Sequence, residues 1–219
     1  MSNIAGKAYA MNVVTPVKPC WTWLQRLIFM AARAIPSSLT GLIHLSIIHF
    51  ACWVIIKRKD WPVLDGRKHA DIAHDYVLFL SNFNGTWDQY IDAFSDGIPA
   101  GLDLLWYAST KYPHSIPISP FKGYIVRNQI DADYYYNATP GSAQRDIKAA
   151  LRVMVEIRAL QARHASASPA EFAAAYRRAL VDVQDCLGSP GLAPVASRAA
   201  EAADNHRALY VAAHSRTRR

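Results

Sequence analysis

Residues 39–56, LTGLIHLSIIHFACWVII, decide the fold. They carry no formal charge and run straight into Lys57, Arg58 and Lys59. Eighteen uncharged residues are close to the minimum for a membrane-spanning helix. Gly41, His44, Ser46 and His49 interrupt the run, however, and its Ile, Phe, Trp and Val content is that of a strand. A strand covered on both faces loses its apolar–polar alternation. The stretch therefore reads as a long strand over roughly 42–56, apolar on both sides.

Around it the other elements fall into place. Residues 8–17, AYAMNVVTPV, read as a first strand closed by Pro16 and Pro19. Residues 21–34 carry a helical stripe of Trp21, Leu24, Ile28 and Ala32. A polar loop over 57–74 leads to a short strand at 75–81, DYVLFLS. Next come the turn residues 81–85, SNFNG, and then Thr86 and Gln89 in the spacing of a capping box. Trp87, Tyr90, Ile91, Phe94 and Ile98 continue at helical spacing, with a break expected at Pro99. A short helix or turn over 121–128, a last strand over 133–138 (DYYYNA) and a long helix to about 165 complete the series.

The order β-α-β-β-α-β predicts an α+β domain over 8–165 with a ferredoxin-like antiparallel sheet. Residues 1–7 are expected to be disordered, and 166–219 form an Ala- and Arg-rich helical extension with a basic tail. Helices on one face leave the other apolar face to a second sheet, most economically from another copy of the chain. The extension over 171–187 is the alternative cover.

The composition bounds the rest. Of 219 residues 52% are hydrophobic and 19% charged, which excludes a disordered chain, a coiled coil or collagen. Cys20, Cys52 and Cys186 form no CxxC pair and no disulfide framework, so a reducing, cytoplasmic setting is expected. A net charge of +7 admits an anionic partner.

Several segments carry a resemblance: MNVVTPVKP (11–19), IHFACWVII (48–56), SNFNGTWDQYIDAF (81–94), PFKGYIVRNQ (120–129) and YYYNATPGSAQRDIKAALR (134–152). In these the chain resembles bacterial proteins of the dimeric α+β-barrel superfamily, distantly related to dye-decolourising peroxidase-type domains. The resemblance spans residues 11–160 and implies ferredoxin-like halves and a homodimer. It also implies heme or planar-ligand chemistry of the peroxidase or monooxygenase kind. Two positions depart from it. Cys52 stands where that group has arginine, and Pro62 replaces the first glycine of a GxxDG signature that Asp65 and Gly66 otherwise supply.

Candidate site residues follow. His49 is the candidate axial ligand or proton-transfer group for heme, and His44 lies on the opposite face of the same strand by period-2 alternation. A core imidazole bonded to a backbone group or to Asp75 would look the same in sequence. Asn82, Asn84, Trp87, Asp88, Tyr136 and Asn137 are expected near adjacent strand ends, where amides beside aromatic rings orient a planar ligand. Turn and cap roles explain Asn82 and Asn84 equally well. Asp88, Asp92 and Asp96 share one helical stripe but read as a helix-terminus charge and a solvated face, not a metal site.

The other class of function is a non-catalytic binding or scaffold protein for an apolar ligand, an anionic membrane surface or RNA. Lys122-Gly123-Tyr124-Ile125-Val126 overlaps the start of an RNP1 pattern, but Arg127 and Asn128 follow where an aromatic is required, so nucleic acid is disfavoured. Lys57, Arg58, Lys59, Arg67 and Lys68 in one loop would suit peripheral contact with an anionic membrane. Solubility accounts for the same charges.

Overall fold

A computed structural model describes residues 3–34, 47–61 and 72–187, together with His206, Leu209, Tyr210 and Ala213. Two nine-residue strands carry the clearest alternation. In β2 (Ala8–Pro16), Tyr9, Met11, Val13 and Thr15 are buried, and in β4 (Tyr76–Asn84), so are Val77, Phe79, Ser81 and Phe83. The two pair antiparallel in a register that sets Tyr9 opposite Phe83 and Val13 opposite Phe79. On the far side of β4 lies β3 (Ile48–Ile56), which sets Trp53 opposite Phe79. The part of residues 39–56 that is described is thus a strand, while the expected start at 42 lies outside the described residues.

β1 (Ile4–Ala5) and β5 (Gln129–Ile130) both pair with the outer edge of β2, the first at Ala8 and Tyr9, the second at Asn12 and Val13. All five strands are antiparallel, in the order β1-β2-β4-β3 with β5 beside β2. Together with six helices among the described residues they form a mixed α+β fold.

Two expectations are corrected here. Of residues 1–7, expected to be disordered, the described residues 3–7 are placed against the sheet: Gly6 takes a positive φ of 64° and turns Ile4–Ala5 back onto β2. Residues 133–138 are not a strand. The edge of β2, where a last strand was expected to pair, is taken by β1 and β5, and DYYYNA stays outside the sheet despite its β propensity. Tyr134 and Tyr136 stand exposed instead.

The helices are α1 (Thr22–Ala34), α2 (Trp87–Gly97), α3 (Pro99–Leu105), α4 (Ile118–Asn128), α5 (Gln144–His164) and α6 (Pro169–Asp182). The Thr86/Gln89 capping box starts α2, with both reciprocal bonds present. Pro99 opens α3, where an uninterrupted helix would lack its N–H. Trp87, Tyr90, Ile91 and Phe94 of α2, Leu102 and Leu105 of α3, and Phe121 and Ile125 of α4 pack on the odd-numbered face of β2 and β4. Aromatic rings run through this layer: Tyr9 stacks on Phe83 at 4.9 Å, and Phe83 on Tyr90 at 3.7 Å. Buried Gln25 fixes α1 to it by donating to Leu105 O at 2.8 Å and accepting from Ala108 N at 3.3 Å. No described helix is long and apolar enough to cross a membrane.

Candidate functional site

Helices cover one face of the sheet, and the even-numbered residues of the central strands form the other. Val14, Leu78, Leu80 and Cys52 there are half-buried, while Phe50 and Val54 are 52% and 43% exposed. None of these six carries a charge, and none joins the helix-side core. Phe50 and Val54 thus lie among half-buried apolar neighbours on three adjacent strands.

His49 sits at one end of this face. The ladder between β3 and β4 shifts between Ile48 and Phe50, leaving His49 opposite no residue of β4. Bulges of this sort re-aim side chains. Burial lowers the pKa of the imidazole, and a hydrogen bond to the Asn84 side chain opposes that without reversing it. Its Nε2 is buried with no hydrogen-bond partner. The ring is therefore a neutral imidazole whose Nε2 is enclosed without a partner.

The remaining candidates take separate places. Asn84 joins His49 but also donates to Lys7 O at 2.9 Å and accepts from Gln144 N at 2.9 Å, so it ties three chain segments together. Asn82 bonds the hydroxyl of Tyr135, not Tyr136, which is 72% exposed. Asn137 donates to Ala5 O at 3.0 Å and accepts from Thr139 N at 2.9 Å. Trp87 lies on the helix side, its Nε1 donating to Gln129 Oε1 at 2.8 Å. Asp88 pairs with Lys122, which also reaches Asp92 at 2.7 Å. The cation on that acidic stripe is a lysine 34 residues away, which local spacing does not reveal. Lys122 and its neighbours Gly123, Tyr124 and Ile125 lie on helix α4 with the last three buried, so the RNP1-like run is no exposed strand. His44 lies outside the described residues.

A scan of family models and searches of curated proteins and solved structures find no match.

At the opposite end of the sheet lies an open cleft of about 320 Å³, lined by Lys18, Cys20, Thr22, Arg58, His74 and Asp75. Asp75 organises it, accepting from Thr22 Oγ1 at 2.6 Å and from Arg58 N at 2.9 Å. Burial works against its charge. The Thr22 and Arg58 hydrogen bonds and the Arg58 and Lys57 charges outweigh it and hold the carboxyl below its ordinary value of 3.8. A carboxylate whose folded pKa is depressed contributes stability above the unfolded value and loses it as pH falls through the folded one. Asp75→Asn removes this dependence. Acid unfolding monitored below about pH 4 should have a shallower limb in the variant than in the parent. An unchanged limb would show that Asp75 is as free in the folded chain as in the unfolded one.

Proposed function

We propose that the chain is a self-associating, planar-ligand-binding protein with ferredoxin-like topology of the dimeric α+β-barrel kind. The strand order supports that topology. With the two short strands on one edge, the long strands run β2, β4, β3, so β4 lies between the strands that α1 connects. That order is the one a split βαβ unit would give. The observation that carries the functional reading is the uncharged sheet face with neutral His49 at its end, its Nε2 without a hydrogen-bond partner.

Heme fits this site in two respects. The face is apolar enough for a porphyrin, and His49 Nε2, buried without a hydrogen-bond partner, is the nitrogen that would hold its iron once the side chains around it move aside. Heme, when bound, supplies one-electron and peroxide chemistry, which would make the protein a small oxidoreductase. Asn84 would hold the imidazole ring in orientation, and the surrounding apolar strands would exclude water.

Adding hemin to purified protein should shift and sharpen the Soret band, and His49→Ala should abolish the shift. Because burial depresses the His49 pKa, the shift should persist below pH 6.5, where an ordinary histidine is protonated. A Soret band identical to that of free hemin would reject the heme reading. Binding without peroxide turnover would favour the second class, a non-catalytic binding protein whose sheet face holds an apolar ligand.

A further inference from the structure

Helix α1 turns a polar side chain to the core and large apolar ones to solvent. The two bonds of buried Gln25, to Leu105 O and from Ala108 N, set the rotation of the helix. Residues two or five places along lie on the opposite side of a 3.6-residue turn. Those residues are Trp23, Leu27 and Met30, which are 68%, 53% and 66% exposed. Arg26 and Arg33 stand together on one flank of this stripe, and the helix contains no acidic residue. Phe29 packs with the helix-side core, so the stripe is separate from the sheet face proposed above for the planar ligand.

More cations adjoin it. Trp23 lines the cleft at the end of the sheet together with Arg58. Arg58 and Lys59 are exposed in the short turn Arg58–Asp60, which Lys57 precedes. The charges of Arg58 and Lys57 both act on Asp75, which binds Thr22 of α1, so the turn and the helix start belong to one surface. Asp75 is engaged by Thr22 and by the Arg58 backbone, and Asp60 is exposed. Arg26, Arg33 and Lys59 have no ion-pair partner among the described residues. Five cations and two carboxylates thus adjoin three exposed apolar side chains.

We propose that this surface docks on an anionic membrane, with α1 lying in the interface, Trp23, Leu27 and Met30 entering the acyl region and the cations resting on the headgroups. Charge decides the occupant. A second copy of the chain, related by a two-fold axis through the stripe, would set Arg26 and Arg33 against their own copies. An anionic leaflet meets both parts of the surface: its headgroups attract the cations and its hydrocarbon accepts the stripe. The indole of Trp23 suits the boundary between the two. From Trp23 to Met30 is about 11 Å of helix, far too short to span a bilayer, so insertion and charge must act together.

Co-sedimentation of the full-length protein with vesicles tests this. It should bind vesicles of equal parts phosphatidylcholine and phosphatidylserine but not phosphatidylcholine alone, and less as salt rises. Leu27→Ser with Met30→Ser removes apolar surface at unchanged charge and should weaken binding at least tenfold. Arg26→Gln with Arg33→Gln should weaken it about 25-fold. Circular dichroism should match the parent in both pairs, since all four side chains are exposed. Leu151→Ser with Val155→Ser, an exposed apolar pair on α5, should leave binding unchanged. Absence of binding, or equal binding to both vesicle types, would overturn the proposal. So would a loss confined to the arginine pair, or equal losses from the two serine pairs. A dimer that dissociates on Leu27→Ser with Met30→Ser would make the stripe a contact between copies instead. Brominated lipid gives an independent reading: it should quench the tryptophan fluorescence of the bound parent more than that of bound Trp23→Phe. Equal quenching would take Trp23 out of the interface and refute the placement of α1.

Discussion

Replacing Trp87 with alanine lowers the free energy of unfolding by about 3–5 kcal/mol, the range for large aromatic deletions from a packed core. Trp87 is among the largest fully buried side chains of the protein, and it is the first residue of α2. Its indole packs in the layer that joins α2, α3 and α4 to the sheet. It also carries a hydrogen bond that nothing else replaces. Gln129 Oε1 accepts from the indole N–H, while Gln129 Nε2 donates to the Tyr9 hydroxyl at 3.4 Å, and Gln129 belongs to β5. The substitution therefore opens a cavity and strips β5 of its tie to the helix layer. Trp87→Phe keeps much of the volume and loses the N–H, leaving a part-buried amide oxygen unpaired at a cost of about 1–3 kcal/mol. Urea unfolding should show both variants with lowered midpoints and the parent's slope, alanine the lower. An alanine midpoint within error of the parent would mean that Trp87 is not part of the cooperative core.

Gly6→Ala should rank next, and for a reason of backbone rather than volume. Gly6 has φ +64°, a conformation that costs an L-residue about 1–2 kcal/mol. An added Cβ would lie 2.1 Å from Pro140 O, a backbone atom that cannot rotate away. The two segments must separate, and the bond from Lys7 N to Pro140 O at 2.9 Å is lost with them. Together the strain and the lost bond amount to about 2–4 kcal/mol. The damage should be directional. Hydrogen exchange should speed up at Lys7, in β1 and in the first turn of α5, whose root rests on this junction, and much less in α2. Gly101 is the matched control. A Cβ there meets only the Ile98 side chain, at 3.6 Å, so alanine in that helix should be neutral or stabilising by up to about 1 kcal/mol. Equal effects at the two glycines would remove the junction from the account.

How far such features can be read from sequence depends on whether their causes are local. The alternation of β2 and β4 is, because one face of each is buried and the other is not. The Thr86/Gln89 box is local too, since both of its bonds close within four residues. Residues 133–138 misled because three consecutive tyrosines carry β propensity but do not say which edge is free, and the edge of β2 is taken by residues 4–5 and 129–130. The partner of the Asp88 and Asp92 stripe, Lys122, is illegible for the same reason. So are the burial of Gln25 against Leu105 and Ala108 and the tie from Trp87 to Gln129. Each joins residues brought together only by the finished fold. His49 falls between the cases. Its residue type marked it as a candidate, but the shift of register that takes it off the ladder belongs to the pairing of two strands.

The position of β4 between its two neighbours has a consequence for the chain as it is being made. Translation delivers β2 first and β3 second, yet both bond to β4, which is complete only at Asn84. At about 5–20 residues per second, the uncharged run IHFACWVII leaves the ribosome on the order of 1–6 seconds before its partner strand is finished. During that interval nine residues without a charge are held by nothing that the native sheet provides. Residues 48–56 are then an apolar segment still without the strand it pairs with.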